Sequence, residues 1–136
     1  MEHTLYRVDL RTEPDLVEAR RSAREIAEAL GLSRQDQIRV ATTVSEIARN
    51  ALRHASSGSL RYALQGGERT QLAIEVQDTG PGIADVAGVL AGRGNGRQGL
   101  GLAGAQRLID HCDVRSRPGQ GTTVLMLKRL GGPASW

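Results

Sequence analysis

Glu46 and Asn50 lie four residues apart in SEIARNALRH, residues 45–54, and a helix there sets them on one face about one turn apart. An asparagine carboxamide oxygen is a hard ligand of the kind magnesium takes beside waters and phosphates. A carboxylate one turn away can take a proton from an attacking hydroxyl or water. A solvated glutamate beside a surface asparagine is the plainer alternative, and these two residues alone leave it open. Asp78 stands where an apolar run ends, directly before Thr79-Gly80-Pro81-Gly82 in QDTGPGI, residues 77–83. There it could accept a hydrogen bond from an exocyclic amine such as that of adenine, with glycine letting backbone approach the base. It could equally cap its own turn. Gly99-Leu100-Gly101-Leu102 follows the stretch GRGNGRQG, residues 92–99, and opens an apolar-periodic segment. Helix N-termini present unpaired N–H donors and partial positive charge, where phosphates settle. Arg93 and Arg97 could close over a terminal phosphate, although arginines in a glycine-rich loop are ordinary. Together the segments describe a pocket for a nucleoside triphosphate and its metal. Neither a GxGxxG loop set directly after a strand nor a GxxxxGK[ST] loop is present, so the pocket is of another type.

The elements that must hold these groups are readable from periodicity. Residues 4–10 put Tyr6, Val8 and Leu10 on one side of an extended strand, the period-two signal. Thr12 and Asp15 form a capping box, Pro14 suits a first helical turn, and Leu16, Ala19, Ala23, Ile26, Ala27 and Leu30 make one stripe that Gly31 ends. Ser33 and Asp36 open a second helix with the stripe Ile38, Ala41, Val44, Ala48 and Leu52. SSGS at 56–59 reads as a turn, and LRYAL (60–64) with LAIEV (72–76) as a hairpin around Gly66-Gly67. A short helix is expected through 84–91 and another from about Leu100 to His111. Strands at 113–117 and 122–130 then flank Pro118-Gly119-Gln120-Gly121. The expected architecture is α+β: a two-layer sandwich with a mixed, mostly antiparallel sheet covered on one face by three longer helices. Residues 1–131 read as one domain and 132–136 as a frayed tail.

Composition narrows the function. Hydrophobic residues make up 39 % and aromatics only 2 %, so Leu, Ile, Val and Ala must build the core. Few rings argue against stacking of single-stranded bases, and the net charge of +3 comes from scattered arginines rather than a block. Nucleic acid is therefore not an expected partner. Arg20, Arg21 and Arg24 read as a solvated helix face, and Cys112, the single cysteine, as a buried inert thiol. No run of about 18 apolar residues exists, nor an apolar leader after Met-Glu-His-Thr, so a cytoplasmic protein without a membrane partner is expected.

The three segments resemble the Bergerat-type ATP-binding fold shared by gyrase, Hsp-type chaperones, histidine kinases and mismatch-repair ATPases, the GHKL group. Glu46 and Asn50 match its asparagine-bearing helix box, and Arg53 a basic position that touches phosphate in some relatives. Asp78, Gly80 and Gly82, continued by Ile83, match the DxGxG box; Gly99, Leu100, Gly101 and Leu102 match the GxG box. Gly121-Thr122 matches a late Gly-Thr whose hydroxyl, in relatives, joins the adenine-reading acid through water. The resemblance implies ATP and Mg2+ as cofactors, Asn50 as metal ligand, Glu46 as catalytic base, and Arg97 with the other box residues on the nucleotide. LGLSRQDQIRVATTVSEIARNALRHA is similar to the RsbT-type switch kinases of the stressosome, which phosphorylate serine or threonine on STAS-domain antagonists and activate a metal-dependent phosphatase. The absence of a phosphoacceptor histidine box and of a transducer domain points away from sensor kinases, gyrases and chaperones. The related anti-sigma branch, which sequesters a sigma factor, is the alternative. A pure ATP-gated binding module and a hydrolytic ATPase are the rival classes.

Overall fold

A computed structural model describes residues 2–55, 57–66, 70–80, 109–116 and 118–130. Its elements run β1 (Glu2–Leu10), α1 (Glu13–Ala29), α2 (Arg34–His54), β2 (Gly58–Gln65), β3 (Gln71–Asp78), β4 (His111–Ser116) and β5 (Thr122–Arg129). The strands form one sheet in the order β1-β2-β3-β5-β4. Every described pairing is antiparallel, so the expected mixed sheet gives way, among the described residues, to a uniformly antiparallel one. Short connections at 66–70 and 117–121 account for two of these pairings, β2–β3 and β4–β5, because tight links join antiparallel neighbours while parallel ones need crossovers.

Helix starts follow the local chemistry. Asp15 Oδ2 accepts the Thr12 backbone N–H at 2.9 Å, half of the capping box, and Ser33 Oγ accepts the Asp36 N–H at 3.1 Å. Gly31, at φ +83°, turns the chain out of α1. Both helices lie on one sheet face and meet Val8, Leu10, Leu60, Tyr62, Leu72, Ile74, Val76, Val124 and Met126. Ala19, Ala23 and Ala27 of α1 and Ala41, Ala48 and Ala51 of α2 are all buried, so small side chains bring the helix layer close. Truncating a fully buried residue such as Leu72 would cost about 2–5 kcal/mol.

Several expectations are corrected. Tyr6 keeps the alternation with Val8 and Leu10 and pairs with Tyr62, but at this sheet edge it is 41 % exposed, its hydroxyl donating to Glu18 of α1 at 2.5 Å. Ile38 is 47 % exposed, and the α2 stripe runs instead through Val40, Ala41, Val44, Ile47, Ala48 and Ala51. The half-buried Gln37 amide, donating to the Leu32 carbonyl at 3.0 Å, occupies the ground expected of Ile38. Gly58 and Ser59 belong to β2 rather than to a turn, and His111 begins β4 rather than ending a helix. Tyr62 adds a ring to the aliphatic core; it is fully buried, its hydroxyl donates to the Ala19 carbonyl at 3.0 Å, and burial raises its phenol above the ordinary range. Cys112 is half-buried, and burial pushes its thiol up to about 11, consistent with an inert group. The helix expected through 84–91, the third longer helix up to residue 108 and the tail fall outside the described residues.

Candidate functional site

Where α2 ends, one register row crosses all five strands: Leu10, Gly58, Asp78, Thr122 and Ser116. Each stands two residues from a helix-facing core position (Val8, Leu60, Val76, Val124 and Val114), so the whole row shares the helix side of the sheet. β-strand alternation thus makes Asp78 and Thr122 cross-strand neighbours facing the same layer. Asp78 is half-buried, and its Oδ1 accepts the Gly80 backbone N–H at 2.9 Å. The turn-capping role is therefore real. A carboxylate has roughly four acceptor positions, so one N–H leaves capacity for a ligand amine. Thr122 is 9 % exposed, and its hydroxyl shares a 2.9 Å hydrogen bond with that of Ser116, which also reaches the Gly121 carbonyl at 3.1 Å.

Two glycines shape this end. Gly121 has φ +82°, and a Cβ there would stand 2.1 Å from the Asp78 carbonyl oxygen, so no other residue fits without moving backbone. At Gly58 a Cβ would stand 2.8 Å from the Gln77 carbonyl oxygen and 3.7 Å from the Ala51 Cβ of α2. The last turns of α2 accordingly rest on this end of the sheet. Asn50, beside Ala51, is half-buried, and its Nδ2 is buried with no hydrogen-bond partner among the described residues. An unpaired buried polar atom costs about 1–3 kcal/mol, and among the described residues Asn50 Nδ2 shares this state with Thr43 Oγ1 further back on α2. Glu46 and Arg53 are exposed one turn either side of it. The structure thus brings Asn50, Asp78, Gly80 and Thr122 to one end, with Glu46 and Arg53 on the flanking helix surface. Gly82, Ile83, Arg93, Arg97, Gly99, Leu100, Gly101 and Leu102 lie outside the described residues.

On the opposite sheet face, beside the same turn, a polar cleft of about 400 Å3 is lined in part by Arg7, Arg11, Ser59, Gln77 and Thr123. Gly58 and Asp78 line it as well, so the cleft borders the Asp78 row from the other side of the sheet. Gly58, Ala51 and Ser116 were not singled out from the sequence. A glycine followed by an alternating run was the available signal, since glycine inside a strand marks close backbone approach.

Residues 10–128 match the family described as the histidine kinase-like ATPase domain. The chain is 37 % identical to the serine/threonine-protein kinase RsbT of Bacillus subtilis (strain 168), across 90 % of this chain and 95 % of that protein. It is 38 % identical to the anti-sigma F factor of Pasteuria penetrans across 67 % of each. Among solved structures, the histidine kinase domain of the Erythrobacter litoralis EL346 blue-light activated kinase superposes with a TM-score of 0.57 at 25 % identity, covering 86 % of this chain and 60 % of that one. Full-length ShkA in complex with AMPPNP superposes with a TM-score of 0.60 at 20 % identity, covering 89 % of this chain and 30 % of that one, a likeness of fold alone.

Proposed function

Because the chain belongs to the histidine kinase-like ATPase family, we propose that it is a serine/threonine protein kinase of a bacterial partner-switching module, with a small STAS-domain antagonist as substrate. The observation that carries this reading is the Asp78–Thr122 pair, held between Gly58 and Gly121 where the last turns of α2 meet the sheet. The residues present fit an adenine nucleotide and its metal. Asp78 would accept the adenine amine, the Thr122 hydroxyl would support it through water, and Asn50 would ligate magnesium. Mg-ATP, when bound, supplies an activated γ-phosphoryl group.

Glu46 would orient or deprotonate the substrate hydroxyl, and its exposure on α2 leaves it accessible to a docked protein. Arg53 and Arg97 would contribute positive charge near the phosphates. After phosphorylating its antagonist, the kinase would be released to activate a metal-dependent phosphatase. The anti-sigma alternative has the anti-sigma F similarity behind it, over a shorter stretch than the RsbT similarity. No described helix is long and apolar enough to cross a membrane, and we place the protein with its antagonist in the cytoplasm. Incubation with labelled Mg-ATP and purified STAS-domain proteins tests the reading. Label on a STAS serine or threonine is the expected result. Steady hydrolysis with no label on any STAS protein would make the chain an ATPase instead.

A further inference from the structure

We propose that Gly58 is the positioning residue for Asp78, setting its separation from Asn50 and thereby the selectivity for adenine; the proposal rests on the nucleotide-binding reading above. The backbone of β3 around Asp78 is flanked by two strands, and each presents a glycine at the point of contact. Gly121 closes in from β5, where a Cβ would lie 2.1 Å from the Asp78 carbonyl oxygen. Gly58 closes in from β2. A Cβ there would lie 2.8 Å from the Gln77 carbonyl oxygen, a contact with backbone that no side-chain rotation relieves.

The small space at Gly58 has two further walls, the Asp78 Cβ at 3.6 Å and the Ala51 Cβ at 3.7 Å. One belongs to the acid itself, the other to the helical turn that carries Asn50. Residue 57 grips the next residue along: the Ser57 carbonyl accepts the Thr79 backbone N–H at 3.4 Å and its hydroxyl at 3.5 Å. A side chain at 58 must therefore displace the end of β3, the end of α2, or both. Either shift changes how an acceptor at Asp78 and an amide at Asn50 are spaced for one ligand, and hydrogen bonds weaken steeply with such misplacement.

Calorimetry on the full chain tests this with two glycine variants. Gly58→Ala is expected to lower Mg-ATP affinity by about tenfold or more and to shrink the preference for ATP over GTP by a similar factor, the size of a lost charge-assisted hydrogen bond. Gly31→Ala places a side chain at positive φ, unlike Gly58→Ala, and its Cβ would meet nothing within 4 Å. It is expected to lower the melting temperature while leaving ATP affinity within about twofold of the parent, because its strain is local to the end of α1. If Gly58→Ala does not fold, amide NMR of the parent decides: on titration with Mg-ATP the Gly58 signal should move together with that of Thr122. A folded Gly58→Ala with parental affinity and selectivity overturns the proposal, as does a Gly58 signal that stays still while Thr122 moves. A parent that binds no ATP overturns the functional reading and this inference together. ATP binding lost in Asp78→Asn but kept in Gly58→Ala overturns the inference alone.

Discussion

Where α2 begins, Lys128 of β5 lies with its side chain only 12 % exposed, bridging Asp36 in the first turn of α2 and Asp110 ahead of β4 at 3.6 Å each. Asp110 also accepts the Arg129 backbone N–H at 2.6 Å, and Arg39 stands 3.6 Å from Asp36. At the other end of the same helix and sheet, Asn50 holds a buried amide unpaired among the described residues. There Asp78 keeps acceptor capacity beyond its one turn bond among the described residues, and two glycines let the neighbouring backbone pack close against it. One end joins helix, sheet and the chain leading into β4 through matched charges. The other carries the Asp78 turn and the Asn50 amide instead. Satisfied polar groups stabilise a fold, whereas a buried one left waiting destabilises it until a ligand arrives. The contrast agrees with the nucleotide site proposed at the Asp78 end and with structural closure at the Lys128 end.

The largest expected effect breaks the chemistry at the open end without touching its construction. Glu46→Gln should cut phosphorylation of a STAS substrate by roughly 100-fold or more while Mg-ATP affinity and melting temperature stay parental. Quantified label transfer beside calorimetry checks this, and unchanged turnover would remove Glu46 from the base role. Gly121→Ala should destabilise the fold by about 2 kcal/mol or more, since left-handed strain adds to a collision with the Asp78 carbonyl. Denaturant unfolding reads the loss, and nucleotide affinity should fall with it. Lys128→Met sharpens the comparison from the closed end. Leaving Asp36 and Asp110 without their partner should lower stability by about 1–2 kcal/mol, discounted for the 3.6 Å separations, with ATP affinity unchanged. A matching drop in ATP affinity would show that the two ends are not independent.

The smallest effect belongs to neither end. On α1, hydrogen bonds from the Arg21 guanidinium and then the Tyr6 hydroxyl hold the Glu18 carboxyl down at about 2. A depressed carboxyl contributes stability above its ordinary value near 4.5, and that contribution fades as pH falls through about 2. Melting temperatures taken from pH 5 down to about 2 should drop slightly more for the parent than for Glu18→Gln. Equal slopes would show that the pair is too exposed to matter.

Much of this was legible because local rules operate one residue at a time. Thr12 with Asp15 and Ser33 with Asp36 announce helix starts, and Leu72, Ile74 and Val76 announce a buried strand face, with no knowledge of tertiary neighbours. Asp78 and Thr122 were nameable through a motif, yet their direct opposition depends on β3 pairing with β5 rather than with β4. Ile38 was misplaced because a helix stripe can be drawn through it, whereas Gln37 is the one anchored, through a loop carbonyl. Gly58 was hidden within a serine-rich run that looks like a turn. Its importance lies in what would collide with it, and that is set by β3 and α2 arriving from distant sequence.

The most direct test of the nucleotide site is calorimetric titration of Mg-ATP into the parent and into Asp78→Asn. Saturable binding by the parent below millimolar concentration, lost or strongly weakened in a folded Asp78→Asn, is the predicted result. No heat of association from the parent at millimolar Mg-ATP, or identical isotherms for the two proteins, would contradict it.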